Sequence, residues 1–265
     1  MADTPITTET ALFPTELPST PPTTVQEPSK PAVLPEVTTG TSERYIQGLA
    51  SAASRASATD PLIVMFQGEK LHPGQTTKDV DLAAMQRIVY DSAITWLTTK
   101  LAVGGFVVEA GGFAAVACWE PARAGDPHYV DVSTAAAASG ERPLFKAFLD
   151  GVAELMREHL YPIAERVSAG RYWKLSLMAR DPAVEYVPGA VRAVLVPFME
   201  RFTSDQNEGG AMPVWLEAGS ERARDIYAHF GFREVGEIVT GGVKTWGMIY
   251  TGNINIEKID TKGSF

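Results

Sequence analysis

Three acidic residues stand where catalysis could use a proton acceptor. Glu120, Asp181 and Glu217 each lie at or just beyond the end of a predicted β-strand, where a substrate cleft would open. A carboxylate in such a place can act as a general base toward an attacking amine. Carboxylates at strand ends are more often solvated or structural, and the sequence singles out none of the three.

The histidines and the cysteine point to no metal chemistry. Cys118 is the only cysteine, which excludes an intramolecular disulfide and a multi-cysteine zinc site. We expect it to be a small buried hydrophobic residue rather than a cleft thiol. The four histidines share no metal-ligand spacing, and they are His72, His128, His159 and His229. We therefore predict no metal.

Apolar residues recur at spacings of three and four in five segments, which predicts five helices. The first runs over 42–57, where Ser42 is a candidate cap and Asp60-Pro61 ends the helix. The others are 80–100, a helix around Phe145 that reaches Val167, 190–203 and 221–230. Residues 122–140 read as a loop because small residues dominate them.

Alternating apolar residues predict the strands. The segment 171–179 places Trp173, Leu175 and Leu177 on one side. The remaining strands are 106–108 and 113–119, joined through Gly111-Gly112, then 212–218, and finally 234–240 and 243–250 around Gly241-Gly242. This order of elements predicts an α/β (α+β) fold with one parallel crossover.

The net charge is -9, so the chain lacks the positive field that would collect phosphates over a wide surface. Duplex nucleic acid and an anionic membrane are therefore not expected as partners. No secretory signal or mitochondrial presequence is evident at the amino terminus. We expect the protein in the cytoplasm or the nucleus, and the sequence does not decide between a monomer and a homodimer.

The amino-terminal region differs in composition from the rest. Residues 1–41 are rich in Thr and Pro with few large apolar side chains, and such a segment cannot bury enough surface to offset its ordering entropy. We expect it to be disordered, except that Pro31 to Val37 could add an edge strand. The predicted domain is 42–250, followed by a loose tail at 251–265.

Three consecutive motifs resemble a known family. Pro213 to Ala218 reads P-V-W-L-E-A, Arg222 to Tyr227 reads R-A-R-D-I-Y, and Gly231 to Val235 reads G-F-R-E-V. This run resembles the final motif of the GNAT N-acetyltransferases, particularly fungal small-molecule members. Asp60 to Ile63 and Ala117 to Pro121 are similar to earlier segments of that family, so the resemblance covers roughly residues 42–250.

The resemblance implies acetyl-coenzyme A as the co-substrate. The GNAT fold has a mixed, mostly antiparallel sheet with helices on both faces. It separates strands 4 and 5, here 171–179 and 212–218, and the pantetheine arm enters between them. The residues that it places at the coenzyme are Met178, Ala179, Arg180, Gly189, Ala190, Val191 and Arg192.

The resemblance also locates a loop and a catalytic residue. The family loop that binds the pyrophosphate aligns with Glu185 to Ala190, where Glu185 replaces Gln or Arg and Pro188 replaces a Gly. Both changes should weaken coenzyme binding, since one adds an anion and the other removes a backbone donor. Tyr227 aligns with the family tyrosine that protonates the leaving thiolate; a core tyrosine packed against Phe232 is the alternative.

Three functions follow from these observations. The first is an acetyl-coenzyme A-dependent N-acetyltransferase that acts on a small-molecule amine by direct transfer in a ternary complex. The second is a GNAT-fold enzyme that serves another step, a cyclisation or condensation in fungal specialised metabolism. The third is a GNAT-like domain that binds a ligand or partner without catalysis.

Overall fold

The first helices of the chain lie close to their predicted bounds. The computed structural model describes residues 34–71, 81–126, 142–207, 209–252 and 254. Helix α1 spans Glu43–Ser57. Ser42 precedes it, but the Ser42 side chain makes no capping hydrogen bond; its backbone carbonyl instead accepts from the N–H groups of Tyr45 and Ile46.

Helix α2, Pro61–Leu71, is a helix that the sequence pattern did not predict. Asp60-Pro61 ends α1, as expected, and also begins α2. The Asp60 carboxylate accepts hydrogen bonds from the backbone N–H groups of Leu62 at 3.0 Å and Ile63 at 3.2 Å, which have no acceptor within the helix. Pro61 fits the first turn because the donor it lacks would be unpaired there.

Helix α3, Leu82–Ala102, leads into the predicted hairpin. Strands β2, Phe106–Ala110, and β3, Ala115–Arg123, are antiparallel. Gly111 and Gly112 turn between them with φ of 66° and 67°, a region that glycine enters without the cost of a Cβ. β3 is longer than predicted because β4 pairs with it as far as Arg123. Most of the predicted loop that follows lies outside the described residues.

The helix predicted to reach Val167 is not one regular α-helix. Helix α4, Pro143–Leu155, passes into a π-helical segment, Met156–Leu160, and then into α5, Tyr161–Ser168. Pro162 lies in the first turn of α5, and a proline has no N–H for the preceding turn and crowds its carbonyl. The wider π turn accommodates Pro162 without breaking the helix.

The carboxy-terminal half alternates strands and helices in the predicted order. The elements are β4 (Arg171–Arg180), α6 (Ala190–Phe202), β5 (Val214–Ala218), α7 (Glu221–His229), β6 (Arg233–Thr240) and β7 (Val243–Tyr250). With β1, described below, these strands join one sheet in the order β1-β2-β3-β4-β5-β7-β6. The β4–β5 pair is parallel and the other pairs are antiparallel, which confirms the predicted mixed sheet.

Helices cover both faces of this sheet, as predicted. Helices α6 and α7 pack on one side, the α6 face, where Val194 and Tyr227 join Trp119 and Leu216 in a buried cluster. Helices α1 to α5 pack on the opposite side, the α3 face. The buried residues of that side include Leu49, Leu97, Val107 and Val116 in one cluster and Phe66, Phe148, Tyr172 and Trp215 in another.

Strand β1, Val37–Gly40, corrects the boundary of the predicted disordered tail. It pairs antiparallel with β2 at the edge of the sheet, a little beyond the edge strand expected at Pro31 to Val37. Thr38 Oγ1 donates to Glu109 Oε1 at 2.5 Å and accepts from the Tyr45 hydroxyl at 3.0 Å. The open edge of β2 supplies backbone partners that composition does not reveal. Residues 1–33 and most of 251–265 lie outside the described residues.

Strand β4 departs from the predicted alternation at Ser176. Trp119 is in register with Leu175 and Cys118 with Leu177, so Ser176 is the extra residue of a β-bulge. The sequence places Leu175 and Leu177 on one side of the strand. In the structure Leu175 packs on the α6 face and Leu177 on the α3 face, because the bulge reverses the alternation after Ser176.

Candidate functional site

The parallel strands β4 and β5 separate after two residue pairs. Trp173 is in register with Val214 and Lys174 with Trp215. Beyond them β4 continues to Arg180 and β5 to Ala218 without further pairing. We call the gap between these unpaired stretches the slot. Its backbone donors and acceptors need partners, and a ligand that lies between the strands as an extra strand would supply them.

A groove of about 170 Å³ lies at the start of helix α6. Five of the seven predicted coenzyme residues line it, namely Arg180, Gly189, Ala190, Val191 and Arg192, together with Ala114, Glu185, Tyr186, Val187 and Phe230. Met178 does not line the groove and packs against the cluster of the α6 face. Ala179 does not line it either, since the bulge turns its side chain into the buried cluster of the α3 face.

The groove combines features that favour an anion. Gly189 caps α6 in a left-handed conformation with φ of 81°, and the first N–H groups of a helix have no acceptor within it. These N–H groups and the positive end of the helix dipole attract negative charge. Arg180 and Arg192 add two cations at the groove, and Glu185 brings one anion to the same place, where the sequence predicted it would oppose a diphosphate.

Asp181 anchors the loop that forms one wall of the groove. Both of its carboxylate oxygens accept hydrogen bonds from Arg55 of α1, one of them at 2.8 Å. The carboxylate also accepts from the Ala183 N–H at 3.0 Å, and the Asp181 N–H donates to the Ala114 carbonyl at 3.0 Å. The Arg55 hydrogen bonds hold the pKa of Asp181 below its usual value. An ionised, fully engaged carboxylate of this kind holds the loop in place.

Tyr227 lies on the α6 face, away from the groove lining. Its side chain belongs to the buried cluster with Leu216 and Ala218 of β5, and only 6% of the residue is exposed. The ring packs edge-on against Phe232 with centroids 5.8 Å apart, which is the packing that the core-tyrosine alternative predicts. Burial raises the pKa of the Tyr227 phenol, so the phenol stays protonated near neutral pH and is available as a proton donor.

The other two candidate bases form ion pairs on the α3 face, where Glu120 is buried and Glu217 is partly buried. Lys100 Nζ lies 2.8 Å from Glu120 Oε2, and Lys174 Nζ lies 2.9 Å from Glu217 Oε1. Trp215 Nε1 also donates to Glu217 Oε1 at 2.7 Å. Each carboxylate is thus balanced by an ammonium group, without which its removal from water would be costly.

Ser176 is a functional candidate that the sequence analysis did not name. Its hydroxyl donates a hydrogen bond to Glu120 Oε1. The signal was present in the predicted alternation, which put Ser176 on the polar side of the strand beside Lys174. What the sequence could not show is the bulge, which places Ser176 where β4 has left β5.

The remaining candidates, Cys118 and the described histidines, have the contacts of structural residues. Cys118 is fully buried, as expected, and burial raises its pKa. His159 lies 3.7 Å from Glu158, and the ring of His229 contacts Phe230; His72 and His128 lie outside the described residues. Within the described ranges no three His, Cys, Asp or Glu side chains are grouped as a metal site. No helix there has the length and apolarity to cross a membrane.

Comparisons with known proteins identify the fold. No protein-family model matches the sequence, and no curated protein matches it. Solved structures do match. An agmatine N-acetyltransferase variant in its apo form aligns over 81% of this chain and 98% of its own, with 10% identity and a TM-score of 0.51.

Two insect enzymes match equally well. Arylalkylamine N-acetyltransferase 2 from Aedes aegypti aligns over 81% of this chain and 98% of its own, at 12% identity and a TM-score of 0.51. The polyamine N-acetyltransferase of Drosophila melanogaster, which forms N-acetylagmatine, aligns over 81% and 99%, at 10% identity and a TM-score of 0.51. The chain therefore has the GNAT fold, and the predicted resemblance is confirmed at the level of fold.

Proposed function

We propose that this protein is an acetyl-coenzyme A-dependent N-acetyltransferase that acetylates a small-molecule amine by direct transfer in a ternary complex. One observation carries the proposal: the slot between β4 and β5 lies beside a groove at the start of α6 that favours an anion. A thioester with a long arm and a phosphorylated end needs such a pair of adjoining sites. Similarity to N-acetyltransferases of agmatine, arylalkylamines and polyamines supports an amine as the acceptor.

The residues of the groove suit the phosphate end of the donor. The N–H groups at the start of α6 and the side chains of Arg180 and Arg192 would hold the diphosphate. The unpaired backbone of β4 and β5 would hold the pantetheine arm through hydrogen bonds of the kind that join strands. The bound donor supplies the activated acetyl group. The protein then has to orient this group, accept a proton from the amine and give a proton to the leaving thiolate.

Tyr227 is the proposed proton donor. When the carbon–sulfur bond breaks, the thiolate that leaves needs a proton, and a neutral phenol beside it can give one. Tyr227 packs beside Leu216 and Ala218 of β5, the strand that forms one wall of the slot. This position supports a role at the thioester end of the donor.

Binding and turnover test the proposal separately. Calorimetry should detect acetyl-coenzyme A binding at or below millimolar concentration, and absence of heat at that concentration would exclude acetyl transfer. Release of free coenzyme A thiol, followed by a thiol reagent with agmatine, an arylalkylamine and a polyamine as acceptors, then measures turnover. A protein that binds the donor but acetylates no amine would contradict the proposed reaction.

A second candidate function has one specific observation in its favour. Glu185 lines the groove and Pro188 removes a backbone donor from its loop, so this fold could serve a different step, such as a condensation or cyclisation, or bind a ligand without catalysis. The double change Glu185→Gln and Pro188→Gly distinguishes acetyl transfer from this second candidate function. If acetyl-coenzyme A is the natural donor, the change should tighten its binding by about one or two powers of ten, because a charged hydrogen bond contributes ~1.5–3 kcal/mol.

A control distant from the groove completes that experiment. Glu234→Gln removes an exposed carboxylate on β6 that does not line the groove and should leave the dissociation constant unaltered. If the loop variant binds no more tightly than the parent, the alignment of Glu185 to Ala190 with the family loop is wrong. If it binds tightly and turnover still fails, the second candidate is favoured.

A further inference from the structure

Ser176 lies at the point where the two strands of the slot separate. Lys174 is the last residue of β4 that is paired with β5, and Ser176 follows two positions later as the extra residue of the bulge. Its hydrogen bond to Glu120 shows that the hydroxyl is on the α3 face, opposite the face that carries Tyr227. Ser176 is half-buried, so part of the residue is open to solvent beyond the point where the strands separate.

A chain of hydrogen bonds leads from Ser176 into the interior. The Ser176 hydroxyl donates to Glu120 Oε1, and Glu120 Oε2 lies 2.8 Å from Lys100 Nζ. Glu120 is only 4% exposed and Lys100 only 8%. An acceptor molecule would therefore contact the serine oxygen rather than the carboxylate behind it.

Glu217, the other candidate carboxylate of the α3 face, has a different arrangement. Glu217 Oε1 accepts from both the Lys174 ammonium and the Trp215 indole N–H. Glu120 instead uses one oxygen for Lys100 and the other for a hydroxyl, which can exchange its proton. The Glu120 chain thus ends in a hydroxyl, a group that both accepts and donates a proton.

We propose that Ser176 takes the proton of the acceptor amine and passes its own proton to Glu120. The inference rests on the proposed function and deepens it. As the amine nitrogen forms its bond to the acetyl carbon, the nitrogen's proton moves to Ser176 Oγ and the hydroxyl proton moves to Glu120 Oε1. The carbon–sulfur bond breaks, and the thiolate takes its proton from Tyr227. Lys100 positions Glu120 throughout.

Serine variants test this assignment. Ser176→Ala should lower kcat by ~10²- to 10⁴-fold, the contribution of a positioned acid–base group, while the dissociation constant and KM for acetyl-coenzyme A stay within about twofold. Ser176→Thr keeps a hydroxyl at the same position and should restore most of the rate. Ser92→Ala, which removes a hydroxyl bonded to Lys70 on the outer helices, is the matched control and should be fully active.

The carboxylate variant extends the test. Glu120→Gln keeps the shape and the hydrogen bond from Ser176 but cannot take up its proton, so it should lose kcat to a similar extent as Ser176→Ala. The double variant should be no slower than the slower single variant, because both act in one chain. If Glu120→Gln does not fold, the alanine and threonine variants of Ser176 still decide the question.

Two results would overturn the inference. If Ser176→Ala turns over within threefold of the parent, or if Ser176→Thr is as slow as the alanine variant despite normal donor binding, Ser176 does not carry the proton. Failure of the proposed function looks different. In that case the parent protein itself shows no donor binding by calorimetry or no acetylated amine, before any variant is made.

Discussion

At Tyr227, burial determines the chemistry of a single side chain. The phenol belongs to the cluster on the α6 face, and the loss of solvent raises its pKa, because an apolar surrounding disfavours the charged phenolate. A phenol in this state stays neutral across the neutral range and is a weaker acid than a phenol in water. The same residue in water would begin to ionise near pH 10.

Removing only the hydroxyl separates catalysis from packing. Tyr227→Phe keeps the ring contact with Phe232 and should lower kcat by ~10²-fold or more if the phenol protonates the thiolate. The free energy of unfolding in urea should change by less than about 1 kcal/mol. Tyr90→Phe, on α3, is the control and should keep its rate. An unchanged kcat in Tyr227→Phe would leave the tyrosine as a core residue.

The loop between β4 and α6 is the element that shapes the groove, and Asp181 holds its first turn. Arg55 of α1, the Ala183 N–H and the Ala114 carbonyl all meet at this residue. Gly111 of the β2–β3 turn also lies against Val187, since a Cβ on Gly111 would come within 3.0 Å of it. Contacts from α1 and the hairpin therefore set the position of the loop.

The Asp181 anchor predicts a pH dependence of stability. Its folded pKa is lowered by Arg55, so the stabilisation is present above the unfolded pKa of ~3.9 and is lost as pH falls through the folded pKa. Asp181→Asn should cost about 1–2 kcal/mol at pH 7, since Arg55 is partly exposed and screened. That difference should shrink as the pH falls below the unfolded pKa and the folded carboxylate takes up its proton. Urea titrations of both proteins at several pH values provide the measurement.

Asp181→Asn should also weaken the binding of acetyl-coenzyme A. A loop released from Arg55 leaves the wall formed by Glu185, Tyr186 and Val187 less well ordered, and the dissociation constant for acetyl-coenzyme A should rise. Equal unfolding curves for variant and parent at pH 7 would show that the Asp181 contacts contribute nothing to the fold.

For the molecule as a whole, the sheet begins earlier in the chain than composition suggests. Strand β1 pairs with β2 over Val37 to Gly40, and Thr38 joins Glu109 and Tyr45 in a short chain of hydrogen bonds. Leu34 also approaches the groove at the start of α6, since a Cβ on Gly189 would lie 3.2 Å from its side chain. The segment after residue 33 is thus part of the folded unit.

Two truncations locate the true boundary. A protein that starts at residue 34 should melt within about 1 °C of the full chain. One that starts at residue 42 loses β1 and should be less stable by about 2 kcal/mol, which is a fall of roughly 5 °C for a domain of this size. Calorimetric melting of the three proteins measures both. Equal melting of the two truncations would mean that β1 adds nothing to stability.

Local patterns in the sequence were enough for most elements and for the fold. Helical spacing located α1, α3 and α6, and alternation located β4, because each element shows its own period on the face that it buries. The helix α2 was missed because its apolar residues surround it and because Asp60-Pro61 was interpreted only as a stop. The π-helical segment was not predicted because its cause, Pro162, indicates from the sequence alone no more than an interruption of the helix.

By itself the sequence determined the order of the elements, the GNAT resemblance and five of the residues that meet at the start of α6, since these depend on neighbours along the chain. Only the tertiary structure decided which carboxylates are paired with a cationic side chain. Arg55, Lys100 and Lys174 lie far in sequence from the acids that they neutralise, or on another strand. It also decided the bulge at Ser176, because an extra residue in a strand is defined only by the register of its partner.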